Sequence, residues 1–97
     1  MKCRLTPRAA ADLEAIGDYV AERNPRAALA LMEDFTGRWR QLEHFPYSGP
    51  LRDDIAPGLR VVVMGNYLAF YRVEGRTVTI LRVVHGSRDI AEEDFGG

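Results

Sequence analysis

Two stretches of the chain repeat an apolar residue every three or four positions. Ala9, Leu13, Ile16 and Val20 share one helical stripe, and Asp12, Glu14, Asp18 and Glu22 are assigned to the opposite, solvent side. Ala28, Met32, Phe35, Trp39 and Leu42 form a second stripe, on which Phe35 and Trp39 read as core. Each stretch opens on a cap followed by proline, Thr6-Pro7 and Asn24-Pro25, the pairing that starts helices. So little chain separates the two that they must fold back as an antiparallel hairpin. Pro46-Tyr47-Ser48-Gly49-Pro50 ends the second helix, and a loop runs on to Pro57-Gly58.

The rest of the pattern has the period of strands. Residues 2–5 predict a short one, with Cys3 and Leu5 on one face and Lys2 and Arg4 on the other. Three more are expected at 59–64, 67–73 and 76–85, joined by two-residue turns at Gly65-Asn66 and Glu74-Gly75. The order β-α-α-β-β-β predicts a single α+β domain over 1–97, its helical hairpin packed on one face of a largely antiparallel sheet. The acidic tail, 89–97, is expected to be mobile.

These turns set a register and sort the side chains by face. One face holds Leu59, Val61, Val63, Leu68, Phe70, Leu81 and Val83 and is expected to meet the helices. The other holds Arg60, Val62, Met64, Tyr67, Ala69, Tyr71, Val78, Ile80, Arg82 and Val84. A longer second turn would put Arg82 in the core and is rejected, because an unpaired buried guanidinium is costly. With the helices committed elsewhere, the second face reads as an uncovered apolar surface edged by arginine, suited to a protein partner.

Composition narrows the chemistry. Thirteen basic and fourteen acidic side chains leave a net charge of −1, against a generic nucleic-acid binder. Twelve of the basic residues are arginine, so no lysine cluster exists. The balance is uneven along the chain: 89–97 carries four acids and no base, leaving residues 1–88 at +3. The lone Cys3 excludes an intrachain disulfide and reads as a small buried thiol, with an intermolecular disulfide as the alternative; with only His44 and His85 to join it, no metal site is expected. No apolar run is long enough for a signal peptide or a membrane span, so the chain is expected in the cytoplasm.

Several short motifs follow in fixed order: Leu5-Thr6-Pro7; Ala10-x-Asp12-Leu13-x-x-Ile16-x-x-Tyr19; Leu42-x-x-Phe45-Pro46-x-x-Gly49; Gly58-Leu59-Arg60; Gly65-Asn66-Tyr67-x-x-Phe70-Tyr71; and Val83-Val84-His85-Gly86-x-Arg88-Asp89. Together they resemble ParE toxins of type II toxin–antitoxin pairs, within the RelE/ParE superfamily. The resemblance implies a toxin without cofactor that inhibits DNA gyrase by protein binding and is neutralised by a ParD-type antitoxin. It also implies that the antitoxin meets the open face, and that His85, Arg88 and Asp89 belong to the end facing the target. Two alternatives follow from the same superfamily: a RelE-like endoribonuclease cutting mRNA on the ribosome, and an inactive toxin that only binds antitoxin. A metal-free nuclease needs a base, an acid and phosphate-facing cations. Only Arg60, Arg82, His85 and Arg88 are available for that set, with His85 on the opposite strand parity from Arg82. Where RelE-like nucleases resemble one another in carrying an arginine and, in some, a glutamate, this chain has Tyr67 and Ser48.

Overall fold

A computed structural model describes residues 1–86 and Phe95. Its elements are β1 (Lys2–Leu5), α1 (Pro7–Arg23), α2 (Pro25–His44), β2 (Arg60–Met64), β3 (Tyr67–Glu74) and β4 (Thr77–His85). Both helix starts follow the sequence signals. The Thr6 hydroxyl accepts from the Ala9 N–H at 3.1 Å and the Asn24 carbonyl side chain from the Ala27 N–H at 3.1 Å. Asn24 also closes α1, its N–H donating to Val20 O, so one residue ends the first helix and caps the second.

The sheet runs β1-β4-β3-β2, with β1 parallel to β4 and the other pairs antiparallel. Gly65-Asn66 is the first hairpin turn, and Met64 faces Tyr67 as expected. The second turn is Gly75-Arg76, one residue beyond the expected Glu74-Gly75, so Glu74 pairs with Thr77 and Tyr71 with Ile80. The reason is conformational. Gly65 and Gly75 have φ of +60° and +61°; a two-residue hairpin turn needs a positive φ at its first residue, which Gly75 takes without strain and Glu74 would not. A bulge between Phe70 and Tyr71 then shifts the pairing once more, bringing Val83 opposite Ala69 and His85 opposite Tyr67.

The helices pack on the other sheet face from the one expected. Val62, Met64, Ala69, Tyr71, Val78, Ile80 and Val83 form one core with Ala9, Phe35 and Leu42, and Tyr67 packs against it. Trp39 joins from α2, stacked on Phe35 at 5.8 Å between ring centres. The opposite face is not bare either: Leu59, Val61, Phe70 and Val84 are covered by Ala56 from the long loop and by Phe95, whose ring lies 4.9 Å from that of Phe70. Both faces are apolar, so period two could not choose between them. Topology chooses: β1 and β2 run parallel at the two edges, and the αα connection between such strands is right-handed almost without exception.

The mobile tail expected at 89–97 lies outside the described residues except for Phe95, which is buried.

Candidate functional site

The face proposed for a partner does not exist as an open surface. Val62, Met64, Ala69, Tyr71, Val78 and Ile80 are buried beneath the helices, and Tyr67 is half-buried there. Val84 is buried on the far face. Arg60 and Arg82 do not edge an open apolar sheet face; each anchors another part of the chain.

Arg82 is the sharper correction. It is 4 % exposed, the burial that had seemed too costly, and it is tolerated because it is paired. Its Nε and Nη2 donate to the two carboxylate oxygens of Asp12 at 2.8 and 3.1 Å. The same carboxylate accepts from the Val83 N–H at 2.9 Å. Asp12 therefore faces the sheet rather than solvent. Its spacing showed as much: Asp12 lies three residues after Ala9 and four before Ile16, on the buried stripe. A fork-to-fork pair with a third donor is the geometry that lets a buried ion pair persist.

Arg60 Nη1 donates to the carbonyls of Tyr47 and Gly49, at 3.2 and 2.8 Å, and its guanidinium lies over the Tyr47 ring. Beneath it, the buried Tyr71 hydroxyl accepts from the Gly49 N–H at 2.9 Å and donates to Pro46 O at 2.8 Å. Together these hold the loop after α2 against β2. The half-buried Cys3 thiol is pushed up to about 11, by burial first and by the nearby Glu43 carboxylate second, which keeps it protonated and unreactive near neutrality.

His85 sits exposed at the end of β4, edge-on to Tyr67 at 5.7 Å. It borders a groove of about 420 Å³ whose walls include Ile16, Tyr19 and Val83. Arg88 and Asp89 lie outside the described residues. Of the four nuclease candidates, Arg60 and Arg82 are thus tied to carbonyls and to a carboxylate at separate places, and His85 stands by Tyr67.

A surface that sequence reasoning missed lies along the outer edge of β2. The Val61 N–H donates to Pro50 O of the loop at 3.2 Å, and Leu51 bridges Arg60. Val63, two residues on, directs its backbone groups to the same edge, with no backbone partner there among the described residues. Its side chain is 61 % exposed, and Phe45, Tyr47 and Leu51 are exposed in the adjoining loop. Their signal was weak, since they fall in a loop and on the face first given to the core.

The comparisons with known proteins agree with this architecture. Residues 3–90 match the family described as the ParE toxin of the type II toxin–antitoxin system parDE. The toxin ParE3 of Caulobacter vibrioides is 31 % identical over 83 residues, covering 84 % of this chain and 83 % of the relative. A structure of the chromosomal ParDE toxin–antitoxin system from P. aeruginosa superposes with a TM-score of 0.76 at 31 % identity, covering 88 % of this chain and 95 % of that one. The RelBE2 toxin–antitoxin complex of Mycobacterium tuberculosis superposes at 0.59, also 31 % identical, over 87 % of this chain and 88 % of its own. On its sequence and on its fold, the chain belongs to the ParE toxin family of type II toxin–antitoxin systems.

Proposed function

We propose that the toxin acts by binding protein rather than by cutting RNA: it inhibits DNA gyrase in the cytoplasm and is silenced by a ParD-type antitoxin. The observation that carries this reading is how its cations are spent. RNA cleavage without metal needs cations aimed at a phosphate. Here the Arg82 fork is filled by Asp12, and Arg60 Nη1 is held by loop carbonyls. Membership of the ParE family supports the same reading. Purified toxin is expected to stop supercoiling of relaxed plasmid by gyrase, with activity restored by the co-expressed antitoxin. Normal supercoiling at toxin concentrations that arrest growth would reject the gyrase target.

The antitoxin docks, on this reading, along the open edge of β2 by adding a strand, with Val63, Leu51, Tyr47 and Phe45 supplying apolar contacts.

The likeness to RelBE2 favours a second reading, a RelE-like endoribonuclease that cuts mRNA on the ribosome. Primer extension on a translated message after induction separates the two. New cleavage stops within codons would establish the nuclease, and intact transcripts during growth arrest would remove it.

A further inference from the structure

The outer face of the sheet changes character from one side to the other. Toward β2 it is apolar and covered by Ala56 and Phe95. Toward β1 it is basic. The register sets Arg4, Thr79 and Arg72 side by side in one row across β1, β4 and β3. Their strand neighbours Cys3, Leu5, Val78, Ile80, Tyr71 and Val73 all pack toward the helices. Strand alternation therefore puts the three on the opposite face. Arg4 is exposed and Arg72 half-buried, and no carboxylate pairs with either among the described residues. Arg72 gives its Nε to Pro57 O at 3.1 Å, which leaves both terminal nitrogens to donate.

Thr79 lies between them, 2 % exposed, and its hydroxyl oxygen is buried with no hydrogen-bond partner among the described residues. Buried hydroxyls nearly always have one. A hydroxyl flanked by two guanidinium groups that no carboxylate among the described residues pairs is a donor set fit for an anion. Like charges held on one row repel, so an anion seated there also relieves the row itself.

We infer that the Arg4–Thr79–Arg72 row is a carboxylate-binding site that takes an acidic segment of a protein partner. The surroundings favour a peptide over a nucleic acid. Beyond this row the face adds, among the described residues, Lys2 as its one further cation. Tracking a phosphate backbone takes many cations, each neutralising one phosphate. A protein segment needs only a few carboxylates to fill two guanidinium groups. The site does not depend on the toxin reading, since it uses neither the β2 edge nor the groove beside His85.

Fluorescence anisotropy on the full chain tests it with a labelled Glu-Glu-Asp-Glu-Glu peptide and its neutral twin Gln-Gln-Asn-Gln-Gln. The acidic peptide is expected to bind and the twin not. Replacing Arg4→Ser and Arg72→Ser together is expected to weaken binding about tenfold or more, while Arg76→Ser, on the turn, leaves it unchanged. Raising salt from about 50 to about 500 mM is expected to weaken wild-type binding roughly tenfold, which keeps the test open should the double variant misfold. Equal binding of the two peptides, an unchanged affinity in the folded double variant, or a flat salt titration would overturn the site. So would an oligouridine that outcompetes the peptide at this row, which would make it a nucleic-acid contact.

Discussion

Single residues here act by holding distant parts of the chain at fixed separations. The Asp12 carboxylate joins α1 to β4 through Arg82 and the Val83 N–H. Asp12→Ala would take the two-oxygen carboxylate partner from a buried guanidinium, at a cost of about 3–5 kcal/mol. Urea unfolding measures this, and a loss below about 1 kcal/mol would mean that the pair is solvated. Cys3 offers a second check. Its thiol titrates at about 11 in the folded chain against 9.0 for an ordinary cysteine. The folded state therefore holds its proton longer than the unfolded state, so stability falls as pH rises from 9.0 toward 11, and Cys3→Ser removes that slope. Iodoacetamide at pH ~8.5 should accordingly label the native thiol at least about tenfold more slowly than the urea-unfolded one. Equal rates would show the thiol to be open.

At the scale of elements, the loop between α2 and β2 is held more tightly than its glycines and prolines suggest. Tyr71, from the middle of β3, accepts from the Gly49 N–H and donates to Pro46 O, so a core tyrosine closes the loop. Gly49 has no room for a side chain: a Cβ there would stand 2.6 Å from Val61 O and 2.7 Å from the Tyr71 oxygen. Tyr71→Phe strands the buried Gly49 N–H and should cost about 1–3 kcal/mol. Gly49→Ala must move the loop away from β2 and should cost more than Tyr71→Phe. Denaturant midpoints of the two variants give the order, and the reverse order would place the loop elsewhere. The helices needed no such correction. Their caps, prolines and stripes lie within a few residues of the atoms they satisfy, which is why they were legible.

For the whole molecule, the decisive fact is which sheet face the helices cover. Ile80→Asp would bury a carboxylate against Phe35 and Leu42 and should unfold the domain rather than weaken a partner contact. A folded, soluble Ile80→Asp protein with a normal melting temperature would contradict the helix-covered face. Val63→Pro, at the open edge of β2, should instead leave melting within a few degrees of wild type. It removes a backbone donor from the edge and should weaken antitoxin binding at least about tenfold. Unchanged affinity, read by calorimetry, would move the antitoxin to another surface.

The sequence by itself determined what local chemistry determines. It determined the element order, both helix starts, the first hairpin and its register, and the motif order by which the family is recognised. The second turn was misplaced by one residue because glycine can serve either turn position, and only the folded hairpin shows that it takes the first. Three things were left to the tertiary structure. The bulge opposite Phe70 and Tyr71 resets the end of β4 against β3, and no local signal marks it. The carboxylate that pairs with Arg82 is seventy residues away, so no local pattern shows that its burial is compensated. The helix-covered face was undecidable from period two, because both faces are apolar. Handedness of the crossover between parallel strands is a property of the assembled sheet, and it alone separates the core from the outer face.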